Sequence, residues 1–433
     1  MDILEKIDKF EGMQGPPFYR EQRELFENNH TAPYAVKSQN AERLYMEKYN
    51  SCKYRTEFQR DRDRIIHSTA FRRLPDKTQV YMVLKGQNIR NRLSHTLELS
   101  QIARSIATYT GLNVDLVEAI ALGHDLGHTP FGHAVEESLD KILENNCGFK
   151  HNYQSVLVVD FLERREFFSE TEYGLNLTNY TRYGILRHTK LDKEIKIYNQ
   201  ERDNLADNKY KSIEAELVAK IDTVSYLCHD LDDAKTMNIF NDLRKIPNDH
   251  DELKEGLNKS IKIMEEVLNI KENKYRIDTD LSTLPTNLIL KALIEDLING
   301  TTTNIKKYQI DSLKKVQEFD GQIVQFDKFE KDFDNLKDLL YRFVYKSPTA
   351  QQMDTKARYI VEKLYNSFIN NSEQLPHQTR ELFEKAKNGD FEKLDRRDSG
   401  YRLTPERVIC NYIAGMTDVY ALENYKRMFS AEY

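Results

Sequence analysis

Apolar residues recur at every third or fourth position along most of the chain from residue 57 onwards. This spacing puts them on one face of an α-helix, so the pattern predicts a protein built from amphipathic helices. The predicted helices cover 57–74, 94–110, 114–126, 132–146, 151–165, 177–188, 212–236, 253–269, 286–299 and 331–345. Gly111 and Gly148 stand where two of these helices should end, and Asn113 can cap the next one. Residues 1 to about 55 are polar and predict only short helices and loops.

The distribution of polar residues divides the chain into three parts. Histidines cluster before residue 236, residues 237–345 are rich in lysine, aspartate and asparagine, and residues 346–433 are again regularly helical. We therefore predict an all-α protein with an N-terminal region and core domain at 1–236, an auxiliary helical lobe at 237–345, and C-terminal helices at 346–433 that pack on the core. Residues 321–326 carry a weak strand signal, which predicts a short hairpin arm.

Composition narrows the class of protein. Only 16 glycines and 10 prolines occur in 433 residues, which favours long helices over a sheet with many turns. The net charge of -6 gives no support to non-specific nucleic-acid binding. The four cysteines form no CxxC pair, which argues against a disulfide framework or a thiolate zinc site. No secretory signal or membrane-spanning stretch is visible, so we expect a soluble, cytoplasmic protein without a membrane partner.

Histidine placement is the main chemical clue. Five of the 11 histidines lie between residues 95 and 151. The pair His124-Asp125 ends an apolar helix, with Gly123 before it and Gly127 after it. Two other His-Asp pairs occur in the chain, so the dipeptide alone means little. A titratable pair at the end of a buried helix is costly unless it is paired or bound to a metal ion. The setting of this pair therefore indicates a metal site.

Four stretches of the chain carry a resemblance to a known family. They are residues 60–81, 90–107, 119–155 and 407–421. Together they resemble the dGTPase-type deoxynucleoside triphosphate (dNTP) triphosphohydrolases of the HD superfamily, which are related to the mammalian SAM-and-HD-domain enzyme. The resemblance implies an HD-domain helical bundle within the first part of the chain. Residues 237–345 lie outside it.

The resemblance also implies a metal site with four ligands. His95, His124, Asp125 and Asp222 match the family pattern of His, His-Asp and a distant Asp. Asp222 rests on that pattern alone, because it is one of 70 acidic residues. Two imidazoles and two carboxylates suit a divalent ion such as manganese, iron or magnesium, with positions left open for water and phosphate.

Residues near these ligands are candidates for phosphate binding and proton transfer. Arg92 lies one helical turn before the first metal ligand and would meet phosphate oxygens. His133 and Glu136 are three residues apart at a helix start, so the carboxylate could orient the imidazole as a general acid–base. His128 and His151 are alternative proton donors. The ordinary alternative for Arg92 and Glu136 is a solvated surface position.

A second set of residues matches the family's nucleotide contacts. Tyr226 and Asp230 follow the fourth metal ligand at intervals of four and share its helix face. The resemblance implies that Tyr226 packs against the deoxyribose, that Asp230 accepts the 3′-hydroxyl, and that Gln79 lies near the sugar. A buried tyrosine without a substrate is the alternative. The chain departs from the family at Thr223, where some relatives have a phosphate-contacting lysine, and at Asn411, where aspartate is usual.

The resemblance implies a reaction and a set of partners. The reaction is metal-dependent attack at the α-phosphate of a dNTP, which releases a deoxynucleoside and tripolyphosphate. The arginines at 396, 397, 402 and 407 are further candidates for holding the polyphosphate. Two alternatives stay open: an HD nucleotide monophosphatase or phosphodiesterase, and a non-catalytic nucleotide-sensing scaffold. Relatives lead us to expect a homo-oligomer, a dNTP activator at a second site, and a role in nucleotide-pool housekeeping or antiviral defence. The divergent 237–345 segment is the place to look for a regulatory protein partner.

Overall fold

The computed structural model describes residues 19–47, 52–79, 89–146, 148–163, 174–190, 205, 208–237, 247–270, 285–389 and 403–430. Within these ranges the regular structure is helical, and the only β-type pairings are two isolated bridges, Arg43 with Thr178 and Thr78 with Asn91. The prediction of an all-α fold is confirmed. None of the helices in the described ranges is long and apolar enough to cross a lipid bilayer.

Nine α-helices lie in the described residues up to 237. They are α1 (Arg20–His30), α2 (Glu57–Ile66), α3 (Thr69–Arg73), α4 (Arg92–Thr110), α5 (Val114–Gly123), α6 (His133–Ile142), α7 (His151–Leu157), α8 (Asn179–Arg187) and α9 (Ile213–Thr236). Helix α7 continues into a π-helical turn, Val158–Leu162. Short 3₁₀ turns lie at Ser38–Asn40, Leu74–Asp76, Glu144–Asn146 and Asn208–Tyr210.

Eight more helices follow in the remaining described ranges. They are α10 (Pro247–Val267), α11 (Thr286–Lys307), α12 (Leu313–Glu318), α13 (Glu330–Leu340), α14 (Pro348–Asn370), α15 (His377–Lys387), α16 (Pro405–Ala414) and α17 (Asp418–Phe429). A π-helical turn, Tyr341–Tyr345, extends α13, and a 3₁₀ turn lies at Ser372–Gln374. Every segment predicted as a helix from its apolar spacing contains one.

Two predicted elements differ in the structure. The helix expected at 57–74 breaks after Ile66, because the Ser68 hydroxyl accepts a hydrogen bond from the backbone N–H of Phe71 and starts a new helix. The hairpin arm expected at 321–326 was wrong: this segment forms no strand. Its backbone N–H groups at Ile323 and Val324 instead bond to the Glu216 carboxylate, at 2.7 and 3.1 Å, which removes the need for a partner strand.

Helix α5 is the centre of the core. It packs against α2, α4, α8 and α9, and most of its residues are buried. A helix this apolar is stable only when other elements cover most of its surface, and its two acids, Asp115 and Glu118, lie on the partly exposed side beside Arg62. Gly184 lets α8 approach closely, since a Cβ atom there would lie 2.4 Å from a methyl group of Ile120. The C-terminal end of this covered helix carries His124 into the interior.

Two buried apolar clusters organise the described residues. The larger contains the core helices and also the second part of the chain, including Leu293, Phe329 and Phe333. The smaller joins α6 to the C-terminal helices and includes Val135, Leu139 and Ile409. The three-part division with boundaries at 236 and 345 stays a prediction.

Candidate active site

Three of the four predicted metal ligands converge at the centre of the bundle. His95 comes from the first turn of α4, His124 follows the last residue of α5, and Asp222 lies in the middle of α9. One ligand atom from each lies within 4.8 Å of the others. The closest pair is His95 Nε2 and Asp222 Oδ1, at 3.0 Å. Burial alone would raise the pKa of Asp222, but the two imidazoles lower it to about 2.

The hydrogen bonding of His124 fits a cation at this place. Its Nδ1 lies 2.7 Å from the carbonyl oxygen of Ala121, so Nδ1 carries the proton and Nε2 presents a lone pair. That Nε2 is buried without a hydrogen-bond partner among the described residues, 3.5 Å from Asp125 and 3.6 Å from Asp222. A lone pair facing two carboxylates is unfavourable unless a positive charge lies between them. These residues therefore fit a divalent metal ion.

Asp125, the fourth predicted ligand, is shared between two groups. Its Oδ2 accepts a hydrogen bond of 2.7 Å from Arg92, and both side chains are almost fully buried. One of its oxygens also groups with the ring nitrogens of His151 and His188 within 4.8 Å. Burial would raise the pKa of Asp125, but His124 and Arg92 hold it well below its usual range. The carboxylate therefore stays charged and fixes the guanidinium at the edge of the metal site.

Glu136 connects two of the predicted acid–base histidines rather than one. Its Oε2 lies 3.2 Å from His133 Nδ1 and 2.9 Å from His151 Nδ1. Burial would lower the pKa of His151, but the Glu136 carboxylate raises it overall. Burial would raise the pKa of Glu136, yet the two imidazoles hold it well below its ordinary value. His133 is 71% exposed, whereas His151 is buried, so only His133 has an open side.

His128 lies in the interior beside this group. Its ring stacks on that of His151, with centroids 4.4 Å apart, and its Nδ1 has no partner among the described residues. Burial and the nearby Arg92 guanidinium hold the pKa of His128 well below its usual value. A histidine that stays neutral is a poor proton donor. The structure therefore favours His133 over His128 for that role.

The residues predicted near the sugar occupy two places. Tyr226 is half-buried against the core, and Asp230 is fully buried one turn further along α9. Burial raises the pKa of Asp230 to about 7, and the hydroxyl of Tyr345 donates to its Oδ2, while Oδ1 has no partner among the described residues. Gln79 lies beside Gly132, and its side-chain oxygen is likewise buried and unpaired within the described ranges.

A cavity of about 1090 Å³ is lined by His188 and Thr223, which neighbour the predicted ligands His124 and Asp222, although none of the four predicted ligands lines it. Its walls carry the cations Arg187, Lys190, Lys211, Lys220 and Lys337 and the acids Glu216, Asp320 and Glu330. The Thr223 hydroxyl bonds to the carbonyl oxygen of Ala219 and adds no charge. Cations outnumber acids around this cavity, although Lys211 and Lys220 pair with Glu216 and Glu330, so the cavity is basic without a charge at Thr223.

Of the arginines proposed for polyphosphate, Arg407 is the one that the structure describes, and it does not line this cavity. Arg407 is buried and donates hydrogen bonds to the backbone carbonyls of Asn146 and Gly148, which ties α16 to the core. Residues 396, 397 and 402 lie outside the described residues. Asn411, the departure from the family's aspartate, lines a separate cavity of about 640 Å³ beside α3 and α7.

Four residues at this site were missed by the sequence reasoning. His188 lies at the end of α8 with its Nε2 3.1 Å from His151 Nε2, and burial lowers its pKa to about 3. Lys77 is buried and donates to the backbone carbonyl of His128. Tyr345 and His229 approach Asp230 and His95. The helix that ends at His188 contains Asn179, Arg182 and Arg187 and is not apolar like the helix before His124, so no local pattern marked His188.

Comparison with known proteins places this arrangement in a class. The HD domain family model matches residues 92–227, which include all four predicted metal ligands. A second model, the phosphohydrolase-associated domain, matches residues 324–427. The all-helical bundle with its buried His and Asp side chains therefore belongs to an HD-type hydrolase with a divalent metal site.

Curated relatives make the family more specific. Proteins named deoxyguanosinetriphosphate triphosphohydrolase-like protein are similar over nearly the whole chain. The one from Rickettsia rickettsii is 36% identical, over 90% of this chain and 95% of its own. Those from Thiobacillus denitrificans and Syntrophus aciditrophicus are 36% and 35% identical, over 93% and 95% of this chain and 98% and 96% of their own. The chain belongs to the dGTPase-type family of HD-domain phosphohydrolases.

Proposed function

We propose that this protein hydrolyses dNTPs at the α-phosphorus and releases a deoxynucleoside and tripolyphosphate. The observation that carries the proposal is the convergence of His95, His124 and Asp222, with an unpaired lone pair on His124, next to residues that line a basic cavity. The names of the relatives support a dNTP as the substrate. Manganese, magnesium or iron(II) would suit the ligand set.

The phosphate groups would meet positive charge on two sides. When bound, a divalent cation would polarise the α-phosphate and make a water molecule more acidic. Arg92, held by its bond to Asp125, would donate hydrogen bonds to an α-phosphate oxygen. Arg187, Lys190 and Lys337 line the cavity where the β- and γ-phosphates would extend.

Proton transfer would fall to His133. Breaking the bond between the α-phosphorus and the 5′-oxygen produces an alkoxide, which needs a proton. The Nδ1 of His133 is bonded to Glu136, and its exposed side leaves Nε2 free to reach the leaving oxygen. Because His151 holds the same Glu136 oxygen, the carboxylate would keep one position while His133 gives up its proton.

Selection of a deoxyribose would depend on α9 and its neighbours. The free Oδ1 of Asp230 would accept the 3′-hydroxyl, while Tyr345 fixes the other oxygen of that carboxylate. The ring of Tyr226, on the same helix face, would pack under the sugar and leave no space for a 2′-hydroxyl. Gln79 would contact the sugar through its buried, unpaired oxygen.

A direct assay tests the reaction. Purified protein is incubated with each dNTP and manganese, and the products are separated by ion-exchange chromatography and identified by phosphorus NMR. We expect tripolyphosphate and deoxynucleoside in equal amounts. The variant His133→Gln should lower kcat by about 10²- to 10⁴-fold, while His377→Gln, at an exposed position on α15, should not. Pyrophosphate or orthophosphate as the first product, or no turnover of any dNTP, would overturn the proposal.

Assembly and regulation are proposed from the family alone. We expect a homo-oligomer, a second site where a dNTP activates, and a cytoplasmic location. Light scattering with and without each dNTP would test the first two. A regulatory protein partner would be sought on residues 237–345.

A further inference from the structure

Three side chains, those of His95, His229 and Glu98, form a hydrogen-bonded series that leads away from the metal site. The Nε2 of His95 faces Asp222, while its Nδ1 lies 3.4 Å from Nδ1 of His229. The Nε2 of His229 lies in turn 2.6 Å from Oε2 of Glu98. Helix α4 carries both ends of this series, because Glu98 follows His95 by three residues. Helix α9 carries His229, its middle member. The arrangement is independent of the Glu136 group on the other side of the site.

The protons in this series can be assigned one by one. A cation bound at Nε2 of His95 needs the lone pair there, so Nδ1 carries the proton and donates to His229. The Nδ1 of His229 must then accept, which places the His229 proton on Nε2, where it donates to Glu98. Each of the three groups thus has one role, and the series ends on a carboxylate.

The Glu98 carboxylate, at the end of the series, is itself held in place. Arg90 lies 3.1 Å from Glu98, and it also lies within 3.1 Å of Asp232 and 3.0 Å of Asp233 on α9. His229 is buried, with a side chain 5% exposed, whereas Glu98 is 43% exposed. The ring of His229 is thus fixed from both sides although the series reaches the surface.

We propose that His229 and Glu98 form a positioning pair that fixes the tautomer and orientation of His95 and so strengthens its binding of a divalent cation. This inference rests on the metal site of the proposed function. The proposed function assigns neither residue a contact with the substrate. The partners of metal-ligating histidines commonly contribute 10- to 100-fold to metal affinity, and this pair would act by the same means.

Manganese affinity of the metal-free protein is the direct test, measured by titration calorimetry or by the EPR signal of free Mn²⁺. We expect His229→Ala and Glu98→Ala each to weaken Mn²⁺ binding about 10- to 100-fold. His229→Gln should keep most of the affinity, because the amide oxygen can accept from His95 and the amide nitrogen can donate to Glu98. The matched control is Cys228→Ala, a buried neighbour on α9 outside the series, which should bind Mn²⁺ as the wild type does.

Two further measurements separate positioning from stability. His229 and Glu98 line an open groove of about 480 Å³, so added imidazole should enter the space left in His229→Ala and restore Mn²⁺ affinity. The double variant His229→Ala, Glu98→Ala should bind Mn²⁺ no more weakly than whichever single variant has the lower affinity, since either change breaks the same series. If His229→Ala does not fold, the half-exposed position of Glu98 leaves Glu98→Ala as the deciding variant.

The outcomes distinguish this inference from the proposed function. Mn²⁺ affinity within twofold of wild type in folded His229→Ala and Glu98→Ala would overturn the positioning pair and leave the reaction untouched. A wild type that binds Mn²⁺ but leaves every dNTP intact would overturn the reaction and leave the pair standing. A wild type that binds no divalent cation would overturn both.

Discussion

Glu214 is a buried carboxyl group that joins three segments beneath the core. It lies in the first turn of α9, and its Oε1 accepts hydrogen bonds from the backbone N–H groups of Val36 and Asn113, at 3.0 and 3.1 Å. Its Oε2 is buried without a partner among the described residues. Burial raises the pKa of Glu214 to about 7 despite these bonds. The folded protein therefore favours the neutral acid at this position.

Changing Glu214→Gln should remove a pH dependence of stability. The pKa of Glu214 in the folded protein, about 7, lies above the ordinary value of 4.5. The stability that the protonated carboxyl group contributes is therefore fully present below pH 4.5 and is lost as the pH rises through 7. Relative to the variant, the wild type should lose up to about 3 kcal/mol across this window. Urea unfolding at pH 4.5, 6 and 8 measures the difference, with the exposed Glu423→Gln as control. Parallel pH profiles for wild type and Glu214→Gln would contradict this explanation.

Single residues differ in how far the sequence could identify them. His124-Asp125 stood out because a charged pair ended an apolar helix, and that setting reflects burial directly. Partners that arrive from distant helices leave no such mark: His188 and His229 are single histidines whose neighbours depend on how α8 and α9 pack. The role of Glu136 was predicted as a local pair with His133, and its second bond to His151 depends on tertiary packing.

Helix α17 shows how an element far from the metal ligands bears on the site. The Asp418 carboxylate, in its first turn, accepts from the backbone N–H of Phe131 at 2.9 Å and from both the backbone N–H and the hydroxyl of Thr78. Phe131 has a φ of 59°, a strained value for a residue with a side chain. Because Phe131 stands two residues before His133, this bond fixes the backbone that leads into α6.

Replacing Asp418→Ala should therefore impair catalysis more than metal binding. With three donors released, the turn before His133 can relax, and a displacement of about 1 Å can reduce kcat about 10²-fold. Mn²⁺ affinity should stay near wild type, because His95, His124 and Asp222 do not contact this bond. Steady-state kinetics and Mn²⁺ titration measure the two effects, with Glu423→Ala on the same helix as control. A loss of metal affinity equal to the loss of kcat would argue against this role.

The presence of each helix was more predictable from the sequence than the residues at which it begins and ends. Apolar spacing found the helices because each buries one face, and that requirement is written into the local sequence. The break between α2 and α3 depends on one serine hydroxyl, and the π-helical turn Tyr341–Tyr345 follows a helix whose periodicity does not change. The segment 321–326 has strand-like residues, yet a carboxylate on α9 supplies its acceptors. Such choices are made by tertiary contacts, which propensity does not contain.

At the scale of the whole molecule, the described residues between 237 and 345 share their apolar core with the HD bundle. Helix α11 packs on α4 and α9, and α13 also packs on α9. Their buried residues belong to the same cluster as those of α5. Asp296 on α11 fixes the segment that leads into α13, because its buried carboxylate accepts from the backbone N–H groups of Asp327, Lys328 and Phe329. The sequence predicted an auxiliary lobe but carried no sign of how closely it joins the core.

This shared core predicts that the lobe and the bundle unfold together. Asp296→Ala leaves three donors unsatisfied, which should lower the free energy of unfolding by about 3 kcal/mol or more. If the cluster is one cooperative unit, hydrogen exchange at Leu293 in the lobe and at Val117 in α5 should accelerate by the same factor. The partly exposed Glu295→Ala should change neither. Acceleration confined to Leu293, with Val117 as protected as in the wild type, would mean that the lobe opens by itself and that the metal site does not depend on it.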